Sequence, residues 1–204
     1  MFWDQKTTHK TNPVWFFFDW KSDKEGKTGT FKWRNKELAQ EVNVMPEQFI
    51  LLSQISCIKG WDEKTQSKIY SNEIISTKDE DLIVKSFKST EPLFNGKYNK
   101  NAIKAMGGKF NKGIIVLEGE NLVEYFMQWG ALFQWNEDIN QIDTNEFKVK
   151  FDKIEERKKG AITYYIPRFI KGDVITPEEK TQAFAMVSLL QDYRWEWQKE
   201  ENSN

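Results

Sequence analysis

Lysines and aromatic rings recur side by side along the first half of this chain. Lys32 precedes Trp33, Lys59 and Trp61 flank Gly60, Lys68 is followed by Tyr70, Lys85 by Phe87, and Phe110 lies between Lys109 and Lys112. Side chains alternate across a strand, so Lys68, Tyr70 and Asn72 would share one face, as would Ile83, Lys85 and Phe87. An ammonium can follow a phosphate while the neighbouring ring stacks on a base of any identity, at about 1–3 kcal/mol per base. Each ring alone could serve as well in a core; the recurrence is what points outward. Were the Ile83–Phe87 face buried, Lys85 would have to bury its charge, which is costly without a paired acid. That face is therefore expected to be open, with Phe87 exposed. Trp33, Lys59, Trp61, Lys68, Tyr70, Lys85, Phe87, Lys88, Lys109, Phe110 and Lys112 are the candidate nucleic-acid-binding residues.

Charge supports the same residues. The 204-residue chain carries 30 Lys+Arg against 31 Asp+Glu, a net charge of -1. That near-neutrality hides a split: residues 1–112 hold 19 Lys+Arg and 14 Asp+Glu, and residues 113–204 hold 11 and 17. Residues 82–112 contain seven lysines and a single acid, Glu91. Such an asymmetry suits an anionic partner. A solvated lysine face would explain the charge equally well, and the rings tip the balance. Phe, Trp and Tyr number 15, 9 and 6, which argues against disorder, since disordered chains are poor in rings.

Other chemistry is thin. Cys57 and His9 are the single cysteine and histidine, so no intrachain disulfide can form and no zinc site of the usual Cys/His kinds can be assembled. A histidine-based nucleophilic triad would rest on His9, in a polar N-terminal stretch. Phosphate loops, dinucleotide fingerprints and HExxH are absent. Asp79-Glu80-Asp81 could hold Mg²⁺, yet three consecutive acids point apart and read better as a solvated turn. Glu118, Glu120 and Glu124 have no evident catalytic partner in the sequence. No enzymatic activity, metal or cofactor is expected. The longest apolar run, Val14 to Phe18, is far short of the roughly 20 residues of a membrane span. The N-terminus lacks a signal-peptide pattern, and a soluble cytoplasmic protein is expected.

The elements that must position these residues are mostly strands. Val14–Trp20 and Thr30–Arg34 suggest a hairpin across the polar 22–29 turn. Phe49–Ile58 reads as a buried strand ending at Lys59-Gly60-Trp61. Ile69–Ile75 and Leu82–Lys88 flank a polar turn at 76–81. Lys97–Met106 is a short helix closed by Gly107-Gly108, glycine being suited to the left-handed cap. Gly113–Leu117 is β-branched and strand-like. A strand and then a helix follow over Leu122–Asp138, the helix carrying Trp129, Phe133 and Trp135. Glu146–Phe151 alternates with period two and pairs with Gly160–Phe169 across a charged turn at 156–159. Thr176-Pro177-Glu178-Glu179 is a capping box opening a C-terminal helix with Ala183, Val187, Leu190 and Trp197 at helical spacing. The expected class is mainly β (α+β): an OB-fold-like antiparallel barrel with extra hairpins, a central helix and a C-terminal helix. Residues 1–12 are expected to be a flexible segment, 13–199 a single nucleic-acid-binding domain, and 200–204 a polar tail.

Gly60-Trp61-Asp62-Glu63, Gln66 through Glu73, Val84 through Lys88, Gly107 through Phe110, and Lys159 through Pro167 together resemble bacteriophage single-stranded DNA-binding proteins of the OB-fold type. The last stretch adds Tyr164 to the candidate binding residues. The resemblance implies an accessory protein of phage DNA replication or recombination that coats single strands in the host cytoplasm, with replication or recombination proteins as further partners. The C-terminus departs from many single-strand binders, being mildly acidic with its rings set inward. The alternative is a phage structural or interaction protein, a virion component or an inhibitor of a host protein, in which the rings are core and the lysines only solubilise.

Overall fold

A computed structural model describes residues 13–14, 16–23, 28–33, 43–89, 91–127 and 129–201, with side chains described except at 23, 33, 43, 129 and 194–201. The proposed flexible segment 1–12 lies outside the described residues. Among the described residues, eleven strands and three helices follow one another. They are β1 (Phe16–Asp23), β2 (Thr28–Trp33), β3 (Asn43–Val44), β4 (Gln48–Asp62), β5 (Ser67–Ser71), β6 (Leu82–Ser86), β7 (Phe94–Gly96), α1 (Lys100–Ala105), β8 (Gly108–Glu118), β9 (Asn121–Met127), α2 (Trp129–Ile139), β10 (Phe147–Lys159), β11 (Ile162–Val174) and α3 (Pro177–Glu201). The chain is mainly β, with one helix amid the strands, a second after β9 and a third at the C-terminus.

Strand order in the sheet is β3-β2-β1-β9-β8-β4-β5-β6-β7, with β10 paired to the start of β4 and β11 paired to β10. Two features depart from the antiparallel barrel expected from sequence. β1 runs parallel to β9, with Phe16 opposite Val123, and the path among the described residues is open, from β3 to β7. The β10–β11 turn also falls later than expected. Residues 156–159 are paired strand, Lys159 facing Ile162, and the reversal sits at Gly160, whose φ of 62° is left-handed.

Alternation along β8 separates the layers. Ile114 and Val116 face a core with Phe49, Tyr125, Trp135 and Phe169. Its rings meet both edge-on, as Trp135 to Phe169 at 5.0 Å, and stacked, as Phe49 to Tyr125 at 5.9 Å. Phe110, on the same face of β8, joins a second core under β5 and β6 built on Ile58, Ile69, Leu82, Val84 and Ile103. Ile115 and Leu117 point the other way, to be covered by α3 through Leu190 and Met186. That helix begins as its sequence requires: Glu179 N–H donates to Thr176 Oγ1 at 3.2 Å, and Thr176 N–H to Glu179 Oε2 at 3.0 Å. It runs on to Glu201, into the expected tail.

Helix α2 buries Ala131, Trp135 and Ile139, spaced four apart. It is fastened by Asp138, whose carboxylate accepts from Arg168 Nη2 at 2.9 Å, from Gln134 Nε2 at 2.9 Å and from the Phe169 backbone N–H at 2.9 Å. Arg168 also pairs with Glu155. The Asp138 side chain is 2% exposed, so removing it strands a guanidinium and a backbone donor in a poorly hydrated place. Asp138→Ala should cost about 3 kcal/mol in urea unfolding. A loss below about 1 kcal/mol, the size of one ordinary hydrogen bond, would show that Glu155 alone suffices.

Candidate nucleic-acid interface

Register brings lysines of four strands together with rings of three of them. Lys59 on β4 lies opposite both Lys109 on β8 and Tyr70 on β5. Tyr70 in turn lies opposite Lys85 on β6. Residues directly opposite one another point the same way, so Lys109, Lys59, Tyr70 and Lys85 form one row across the sheet. Neighbouring strands are about 4.8 Å apart, which makes the row about 14 Å long. Two residues further along the strands runs a second row. Trp61 faces Lys68, and Phe87 continues the pairing by donating its N–H to Lys68 O at 3.1 Å.

The face is open where the sequence argument requires it. Phe87 is 71% exposed and Trp61 43%. Lys68, Lys88 and Lys109 are exposed, while Lys59, Tyr70 and Lys85 are half-buried. Tyr70 and Phe87 contact each other, centroids 4.8 Å apart and tilted by 45°. Lys59 Nζ stands 3.6 Å from the centre of the Phe126 ring, a cation–π contact that fixes its ammonium beside the row.

Tight local chemistry holds these strands. Asp62 closes the β4–β5 hairpin, accepting from Lys64 N–H at 3.0 Å and Thr65 Oγ1 at 2.6 Å. The Thr65 hydroxyl above all holds that carboxyl below the usual aspartate range. Ser67 and Ser86 hydroxyls meet at 2.5 Å between β5 and β6. Lys88 N–H turns back to Ser86 Oγ at 3.3 Å, so the chain bends just after Phe87. Behind the face, Gly107 closes α1 with a φ of 81°. A Cβ on Gly60 would lie 2.2 Å from Gly107 O, and one on Gly107 2.0 Å from Trp61 O. The glycines thus let the helix end seat directly on the β4 backbone that carries Lys59 and Trp61.

Other candidates from the sequence stand elsewhere. Phe110 sits on the opposite face, half-buried in the second core with its ring 5.1 Å from Tyr98. The alternation that exposes Lys109 turns Phe110 inward. Lys112 shares that inward face, donating to Asn136 Oδ1 at 3.3 Å, and burial lowers its ammonium pKa. Tyr164 belongs to β11 and packs against the main core. The Trp33 side chain lies outside the described residues.

The acids are occupied locally. Asp79 accepts from Ser76 Oγ at 2.6 Å, Glu80 from the N–H groups of Ile75 and Ser76 at 2.7 and 2.8 Å, and Asp81 pairs with Lys97 at 3.0 Å. Glu118 accepts from Tyr125 Oη at 2.5 Å, and burial raises both pKa values. No three metal-ligating side chains cluster among the described residues. Sequence reasoning passes over Phe126, and also Trp20-Lys21 on β1, although that pair carries the same ring-beside-lysine signal.

The two phenylalanines test the faces directly. Phe87→Ala should change stability by less than about 0.5 kcal/mol, as for an exposed side chain. Phe110→Ala should cost about 3 kcal/mol by emptying part of the second core. Urea melts of the two variants side by side would reverse this order if the faces were exchanged.

Against protein-family models, curated proteins and solved structures, the chain finds no match.

Proposed function

We propose that this protein binds single-stranded DNA with little sequence preference, as a non-enzymatic accessory of phage DNA replication or recombination in the host cytoplasm. The observation that carries the reading is the pair of cross-strand rows, Lys109–Lys59–Tyr70–Lys85 and Trp61–Lys68–Phe87. Stacking requires a ring with an accessible face, and phosphate binding requires a cation within a few ångströms of it. Trp61 and Phe87 meet the first need and Lys68 lies between them. A sheet floor suits a flexible single strand, whose bases can splay flat onto it. A duplex would bring its own stacked bases and only its phosphates. The rings would then remain uncovered.

Fluorescence anisotropy with a labelled mixed-sequence oligonucleotide of several tens of bases, in low salt, is the primary test. Lack of binding would remove the nucleic-acid reading and leave the structural or interaction role. Binding should weaken linearly in log K against log salt, because each neutralised phosphate releases counterions. Replacing Lys68 and Lys109 together with Ala should make that slope shallower by about 1.4, at about 0.7 per phosphate contact. Phe87→Ala should lower affinity by about 1–3 kcal/mol with the salt slope unchanged, since a ring displaces no counterions. A changed slope in Phe87→Ala, or an unchanged one in the lysine pair, would place the strand elsewhere on the molecule.

A further inference from the structure

We propose a second stacking subsite for the same bound strand, in the groove between β1, the first turn of α2 and the β10–β11 hairpin. Trp20 and Tyr164 would supply its rings, and Lys21 and Lys159 its phosphate contacts. This inference rests on the single-stranded DNA reading. The groove is open and has a volume of about 1160 Å³. Small-molecule sites usually occupy roughly 300–1,000 Å³. The larger, open form suits a stretch of chain better than one free nucleotide.

Both rings lie against glycine. A Cβ on Gly29 would lie 2.3 Å from the Trp20 ring, and a Cβ on Gly130 2.7 Å from the Tyr164 ring. Trp20 Nε1 donates to Tyr165 O at 3.0 Å, which ties the β1 indole to β11. Each ring is half-buried against the main core, with glycine main chain on one side, and still lines the groove. A ring fixed in this way loses little entropy on stacking. Phe133 and Ile162, 65% and 60% exposed, extend the apolar wall.

Charge around the groove favours an anion. Lys21 and Lys159 are exposed and make no ion pair among the described residues. Arg157 is already engaged, by Glu155 at 2.5 Å and Gln134 at 3.3 Å. Glu137 is the one acid among the lining residues, while Glu156 at the rim is paired with Lys158 at 3.6 Å. The 11-residue α2 has no acid in its first turn, so no carboxylate there offsets the partial positive charge of its N-terminus beside Gly130 and Ala131.

Photocrosslinking with a bromodeoxyuridine-substituted oligonucleotide, followed by peptide mass spectrometry, separates the two sites. Adducts on peptides containing Trp20 or Tyr164, together with adducts around Trp61 or Phe87, are the expected result. The double variant Lys21→Ala/Lys159→Ala should also show a salt slope shallower by about 1.4 with an unchanged melting temperature. Adducts confined to the β4–β6 face would overturn the groove subsite and leave the single-strand reading standing. Adducts confined to the groove would support the subsite and overturn the β4–β6 placement. Equal labelling of the groove by free bromodeoxyuridine monophosphate would overturn the strand assignment in favour of a nucleotide site. No binding at all would overturn both readings.

Discussion

Strand β4 is the constraint on which the rest of the molecule depends. Its 15 residues pair with β10 at one end, with β8 along most of the length, and with β5 at the other end. One strand therefore sets the register of both halves of the sheet. A slip of one residue would turn Ile58 outward and Lys59 into the second core, which is why so long a strand tolerates little error. The irregularity between Leu51 and Ser53 lies before the lysine rows, in the part covered by α3, so it does not disturb their alignment. Beyond it the alternation runs unbroken to Asp62.

The same strand explains how a nearly neutral chain can present a basic face. Three acids of the second half are spent on internal work. Asp138 and Glu155 hold Arg168. Glu179 caps α3 and pairs with Lys148 at 2.6 Å, which keeps its carboxyl below the usual glutamate range. Lys68 on β5 and Lys109 on β8 are exposed to water, while their apolar strand neighbours Ile69 and Phe110 turn to the second core behind them. Charge separation here follows from which layer each strand belongs to.

Much of this was legible in sequence and some was not. The capping box of α3 and the glycine cap of α1 are local chemistry, set by residues within one turn of each other, and both lie where the residues indicate. Alternation from Ile83 to Phe87 identified an open face because burying Lys85 would have been costly. The same logic needs a register to reach across strands, and register is tertiary. For that reason the alignment of Lys109 with Lys59, and of Tyr70 with Lys85, could not be read from spacing. Phe110 misled because its neighbours Lys109 and Lys112 are basic, yet alternation alone already separates Phe110 from Lys109. The parallel β1–β9 pair had no local signal, since neither strand carries a turn that joins it to the other.

That parallel pair also bears on the order in which the chain can assemble. β4, β5 and β6 are joined by short reversals and need only near neighbours, so their pairing closes small loops at little entropic cost. β1 pairs locally with β2 but must wait for its other neighbour about a hundred residues downstream, with Phe16 meeting Val123. At translation speeds of about 5–20 residues per second, that wait is on the order of 5–20 s. Over this interval the aromatic run at Phe16–Phe18 can pair only with β2, at Phe18 opposite Trp33, and lacks both β9 and most of the core that Phe18 later fills. The β4–β6 part of the binding face is thus built from contacts that form early, whereas β1 gains its second neighbour late. A nascent chain would expose its stickiest strand until β9 arrives.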